Sequence, residues 1–103
     1  MSDIFRALVD MEMYGYIEKG DQNLHEVVLY GGEVYEVKLT ADDNEVNLGL
    51  YVTDEDDELI IKLEDPGARL EGEFTPEVDA VFRFFIKAMN GNTDYVLRIS
   101  ERD

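Results

Sequence analysis

Thr75-Pro76-Glu77-Val78-Asp79-Ala80-Val81-Phe82-Arg83-Phe84-Phe85-Ile86-Lys87-Ala88-Met89-Asn90-Gly91 is the stretch whose reading decides the fold class. Thr75 suits a helix N-cap, Pro76 the first helical position and Glu77 the positive end of the helix dipole. Val78, Val81, Phe82, Phe85 and Met89 recur at i, i+3, i+4, i+7 and i+11, one apolar stripe, and Asn90-Gly91 suits a helix end. The spacing therefore predicts an amphipathic helix packed on one face of a sheet.

The sheet is expected upstream and just downstream of this segment. Leu24–Tyr30 and Val34–Thr40 are rich in β-branched and aromatic residues, and Gly31-Gly32 between them tolerates the backbone angles of a tight hairpin. Val46, Leu48, Leu50 and Val52 alternate with polar or small neighbours, as do Leu59, Ile61 and Leu63, and Tyr95, Leu97 and Ile99 suggest a last strand. The polar connections are short, which favours an antiparallel meander. Residues 66–74 read as a loop or an irregular edge strand, and Tyr14–Ile17 as a turn or a first strand. At the N-terminus Asp3 is placed to cap a short helix to about Met13, with Ile4, Phe5, Leu8 and Met11 on its apolar face. The expected architecture is one α+β domain over 1–103: an antiparallel sheet of about five strands, the amphipathic helix of the C-terminal half on one face, and a short N-terminal helix.

Composition bounds the chemistry. The chain has 103 residues, 25 Asp plus Glu against 9 Lys plus Arg, and a net charge of −16. Repulsion of that size opposes direct contact with nucleic acid or an anionic membrane. The chain has no Cys and one His, His25, which leaves no thiol chemistry and no serine–histidine pair to choose among. No stretch approaches the roughly 18 apolar residues of a membrane helix, so a cytoplasmic protein without cofactor is expected. His25, with an unspecified carboxylate, is the single candidate for acid–base catalysis; Asn23 and Glu26 beside it form no recognised motif, and a non-enzyme is expected.

The charge is concentrated. Residues 41–65 hold ten acids and one base, net −9, more than half the total in a quarter of the chain. Asp42, Asp43 and Glu45 fill one connection, and Asp54, Glu55, Asp56, Asp57 and Glu58 the next. The second run has no glycine and lies between strands, unlike the alternating acids of a calcium loop between two helices, so no metal site is assigned. Carboxylates two apart on a strand stand roughly 6.5–7 Å apart on one face. With hairpin-loop acids added, such an array imitates a nucleic-acid backbone and pairs with Lys and Arg meant for phosphate. These eight acids, with Tyr51 as an aromatic anchor, form the expected partner-binding surface. Tyr30, Ile60 and Phe84 also lie off the main apolar faces and serve either as a second core surface or as further anchors.

Tyr35-Glu36-Val37-Lys38-Leu39-Thr40, an acidic loop, two strand segments and then Phe85-Ile86-Lys87-Ala88-Met89-Asn90-Gly91 near the end of a helix resemble small phage-encoded anti-CRISPR inhibitors of type II RNA-guided nucleases, over about half of the chain. The chain departs from that pattern in its N-terminal segment, in residues 66–74 and in its C-terminal strand. The resemblance implies an inhibitor seated in a nuclease's DNA groove as a nucleic-acid mimic, with residues 42–45 and 54–58 as the contacting acids, in the cytoplasm of a phage's host. The expected partner is thus a basic nucleic-acid-binding protein such as a nuclease. The alternative is a structural or assembly protein that forms homo-oligomers through Tyr30, Tyr51 and an exposed edge strand.

Overall fold

Phe82, Phe84, Ile86 and Ala88 are all buried, while Arg83, Phe85 and Lys87 between them are only partly covered. That is the two-residue period of a strand, and it overturns the helix expected over 75–91. In this computed structural model, which describes residues 8–64 and 67–102, the elements are β1 (Asp10–Ile17), β2 (Gln22–Leu29), β3 (Tyr35–Ala41), β4 (Leu48–Thr53), β5 (Leu59–Leu63), β6 (Arg69–Phe74), β7 (Ala80–Ala88) and β8 (Thr93–Glu101). No helix occurs among the described residues, so the fold is all-β rather than α+β.

The strands form two four-stranded antiparallel sheets, in the orders β1-β8-β3-β6 and β2-β7-β4-β5. This is the order of a jelly roll, in which successive strands mostly pass from one sheet to the other. Only β4 and β5 are both consecutive and paired, so one hairpin of the expected meander is present. Gly31-Gly32 is not a hairpin turn: it carries the chain from β2 in one sheet to β3 in the other. There Gly32 has φ 85° and donates to Pro76 O at 2.8 Å, and Gly31 donates to Asp79 Oδ1 at 2.8 Å. A Cβ on Gly31 would lie 2.7 Å from the Val78 backbone, so the glycine admits the β6–β7 connection. Thr75-Pro76-Glu77 is part of that connection and caps nothing.

Residues 69–74 form a regular strand paired with β3. At the other end of the chain, Asp10–Met13 belong to β1, whereas Asp3, Ile4 and Phe5 of the expected first helix lie outside the described residues. The core lies between the sheets. Tyr35, Val37 and Leu39 of β3 and Leu97 and Ile99 of β8 meet Leu50, Val52, Phe84 and Ile86 of the facing sheet. Phe74 stands edge-on to Phe82, with ring centroids 5.4 Å apart. Phe84, assigned from sequence to a position off the apolar face, is fully buried, and Phe85 points out.

Candidate functional site

A jelly roll gathers its connections at two ends, and the sequence divides its charge accordingly. The eight strands together carry eight acids and six bases, net −2. Four of those six bases are in ion pairs, for example Arg98 with Asp10 at 3.1 Å and Lys38 with Glu71 at 3.7 Å, and Arg102, just past β8, meets Glu36 at 2.8 Å. By contrast, the connections 30–34, 54–58 and 75–79 hold one, five and two acids and no Lys or Arg. They meet at the same end of the sandwich, as the Gly31 and Gly32 hydrogen bonds to Asp79 and Pro76 show.

Between the last two of these connections lies a cleft of about 520 Å³. Pro76, Ala80 and Phe82 form its apolar side with Leu59, Ile60 and Val78, and Asp54, Glu55, Asp56, Glu58 and Glu77 form its acidic rim. Leu59, Ile60 and Val78 are 53%, 40% and 68% exposed, an unusual density of bare aliphatic surface beside carboxylates.

The five acids of the β4–β5 turn divide into two roles. Asp54 Oδ1 accepts the backbone N–H groups of Asp56 and Glu58, each at 2.9 Å, and so closes the turn. Glu55 Oε1 accepts Val81 N–H at 2.9 Å, a donor left over where β4 stops pairing with β7 at Thr53 and Arg83. Asp57 holds the left-handed position of the turn, φ 63°, and its carboxylate meets Arg83 Nη1 at 2.8 Å; Arg83 also reaches Glu26 at 3.2 Å. The carboxylates of Asp56 and Glu58 have no protein partner among the described residues and face solvent. Three acids therefore build the loop, and two, with Glu77 across the cleft, are available to a ligand.

Asp42, Asp43 and Glu45 lie elsewhere. Their loop precedes β4 and the 54–58 turn follows it, so a six-residue strand, about 20 Å long, keeps them at opposite ends. The structure does not bring the two acidic runs together. Asp43 Oδ1 accepts Glu45 N–H at 2.9 Å, Asp43 N–H donates to Thr93 Oγ1 at 3.0 Å, and Asn90 donates to Glu45 O at 3.1 Å: this loop is tied to the β7–β8 connection. Asp42 is exposed beside Tyr14, Thr40 and Asp94 on the outer face of the first sheet.

Tyr51 sits on the outer face of the second sheet, beside Phe85 and Lys87, and donates a short hydrogen bond to Glu64. Burial, with that bond and the negative charge behind it, pushes the Tyr51 hydroxyl up to about 12, and the same bond lowers the Glu64 carboxyl. It belongs to neither acidic end. His25 Nε2 lies 2.7 Å from Tyr95 Oη, and Asn23 donates to the same oxygen at 3.0 Å, a polar link between β2 and β8. Burial lowers the His25 pKa, and the ring's hydrogen-bond partner is a phenol rather than a carboxylate. No group of three or more potential metal ligands occurs among the described residues.

Of the apolar side of the cleft, Ile60 is an anchor candidate from sequence, whereas Leu59 and Val78 are assigned there to the core faces of a strand and a helix. The signal for this side was the abrupt junction of Asp54–Glu58 with Leu59-Ile60-Ile61, which puts charge and aliphatic surface side by side.

No family model and no curated protein sequence matches the chain. Among solved structures, the fold is similar to the pre-peptidase C-terminal domain of a collagenase from Bacillus anthracis, with TM-score 0.75 and 13% identity over 88% of this chain and 89% of that one. It is also similar to a periplasmic inhibitor of g-type lysozyme from Aeromonas hydrophila, with TM-score 0.71 and 12% identity over 98% and 93%. Neither neighbour is an anti-CRISPR protein, and Phe85–Ala88, read as helical in that resemblance, is strand. The likeness at these identities establishes the shared sandwich and nothing about the acidic cleft.

Proposed function

We propose that the chain is a binding module that recognises a basic protein segment in the cleft between the β4–β5 turn and the β6–β7 connection. The observation that carries this reading is the pairing of bare Leu59, Ile60 and Val78 with the unpartnered carboxylates of Asp56 and Glu58, at an end with no basic residue in its connections. Carboxylates steer a cationic partner and fix its register, while desolvation of an apolar side chain against Leu59 and Val78 slows its release. The volume lies in the range of sites that enclose a ligand, about 300–1,000 Å³. That the sandwich also serves a lysozyme inhibitor supports the reading by analogy of fold. A continuous phosphate-like array is not part of this proposal, because the two acidic loops stand a strand's length apart.

Isotope-labelled protein titrated with a short peptide bearing Arg and Lys on either side of a Leu or Phe tests the site. Amide shifts concentrated in residues 54–60 and 75–82, weakened at least tenfold by Asp56→Asn with Glu58→Gln, are expected. Shifts spread over the whole surface, or affinity unchanged in the double variant, contradict it.

A further inference from the structure

β1 is an edge strand, and of the devices that usually protect an edge it carries only two acidic side chains, Asp10 and Glu12. Its eight residues pair with β8 in unbroken register, without a bulge, and contain no proline or lysine. Edge strand β5 is five residues long and bulged, and edge strand β6 is six residues long with three charges. The open side of β1 can be assigned from two hydrogen bonds. Val9 O accepts Glu101 N–H at 2.7 Å, so odd-numbered residues bond to β8; Tyr16 O accepts Asn23 Nδ2 at 3.0 Å, away from β8. The backbone groups of Asp10, Glu12, Tyr14 and Tyr16 thus face outward. The side chains of these same four residues stand on the outer face of the sheet, with Tyr14 70% and Tyr16 54% exposed.

The pattern along this edge is two acids followed by two tyrosines, and it is self-complementary. We infer that β1 pairs antiparallel with β1 of a second copy about a two-fold axis at Met13, joining two sheets into one of eight strands. In that register Glu12 stands opposite the partner copy's Tyr14 and Asp10 opposite its Tyr16. Only even-numbered residues then exchange hydrogen bonds, as their outward groups require: Glu12 and Tyr14 pair across the axis, and at the outer pair the Asp10 N–H shares Tyr16 O with Asn23 Nδ2, using the second lone pair of that carbonyl. Each carboxylate meets a phenol rather than another carboxylate; within one chain Tyr14 already donates to Glu12 at 3.2 Å. The other long edge does not offer this: matching Leu24 of β2 with Val28 of a second β2 would set Glu26 against itself. Since the acidic loops lie at the ends of the sandwich and β1 runs along its flank, the repulsion between copies is long-range and is screened by salt. Dimerisation therefore strengthens as salt rises, the opposite of the peptide binding proposed above, and it uses none of the same residues.

Sedimentation equilibrium at about 50 and 500 mM NaCl tests this. A dimer whose dissociation constant falls at least threefold at the higher salt is expected. Glu12→Pro removes an outward N–H that the β1–β8 ladder does not use, and should give a monomer with unchanged far-UV circular dichroism. Tyr14→Glu places two carboxylates in opposition and should weaken the dimer at least tenfold, and adding Glu12→Lys to it should restore association by the same factor. A monomer at both salt concentrations overturns the proposal, as does a dimer indifferent to Glu12→Pro or to Tyr14→Glu.

Discussion

Tyr95 shows how single residues hold the open flank of the sandwich. Its ring is buried while its hydroxyl crosses the core to His25 and Asn23, over the position where Gly15 has no side chain. A Cβ at residue 15 would run into the Tyr95 ring and hydroxyl, so Gly15→Ala should destabilise the fold by about 1–3 kcal/mol, measured by urea denaturation. The His25 ring stands edge-on to Tyr95, 5.8 Å between centroids, and its pKa lies below the ordinary 6.5 because burial disfavours the cation. The unfolded chain therefore binds this proton more readily than the folded one. Stability is full above pH 6.5 and declines as pH falls below that value and through the folded pKa. His25→Asn should flatten the fall in melting temperature between about pH 7 and pH 5; an unaltered profile would show that another group governs it. None of this was legible in the sequence, where His25 has only Asn23 and Glu26 nearby: its true partner is 70 residues away.

At the scale of elements, β7 is the instructive case. Val81, Phe82, Phe85 and Met89 satisfy a helical period only because Phe85 is an outward aromatic, Val81 lies at the start of the strand and Met89 just past its end. The strand period, Phe82, Phe84, Ile86 and Ala88, was equally present, and the Thr75-Pro76-Glu77 cue tipped the reading because it suits a turn as well as a cap. The two readings differ in which phenylalanine matters. Phe84→Ala should cost about 3–5 kcal/mol, since the ring is fully buried, whereas Phe85→Ala should cost about 1 kcal/mol or less. A helical stripe would have reversed that order, and equilibrium denaturation of the two variants separates the cases. Strands β2, β3, β4, β5 and β8 were legible because their alternation had no competing period. The pairings were not: β1 joins β8 and β2 joins β7, and nothing local specifies a partner more than 50 residues distant.

For the whole molecule, the decisive fact is where the charge lies. Read along the chain, the acids form one dense segment of net −9; folded, β4 divides that segment between two ends, and the strands are left nearly neutral. Sequence supplied the two runs and the strand read over residues 46–52 between them, and connections on either side of one strand lie at its opposite ends; what it could not show is which of the other connections joins each end. Composition likewise could not show that Asp54, Glu55 and Asp57 are occupied in building their turn, leaving Asp56, Glu58 and Glu77 to meet a partner. Because both ends are acidic, a partner held by charge alone would not distinguish them; one held in the apolar cleft would.

Calorimetric titration of an Arg- and Lys-bearing peptide with a central Leu or Phe, against two charge-matched variants, puts that distinction to the test. Asp56→Asn, Glu58→Gln and Glu77→Gln remove three charges beside the cleft, and Asp42→Asn, Asp43→Asn and Glu45→Gln remove three at the far end. Affinity at least tenfold weaker in the first variant and within about twofold of the parent in the second is the predicted result. Equal losses in both would mean that the protein attracts cations through its net charge and that the cleft is not its binding site.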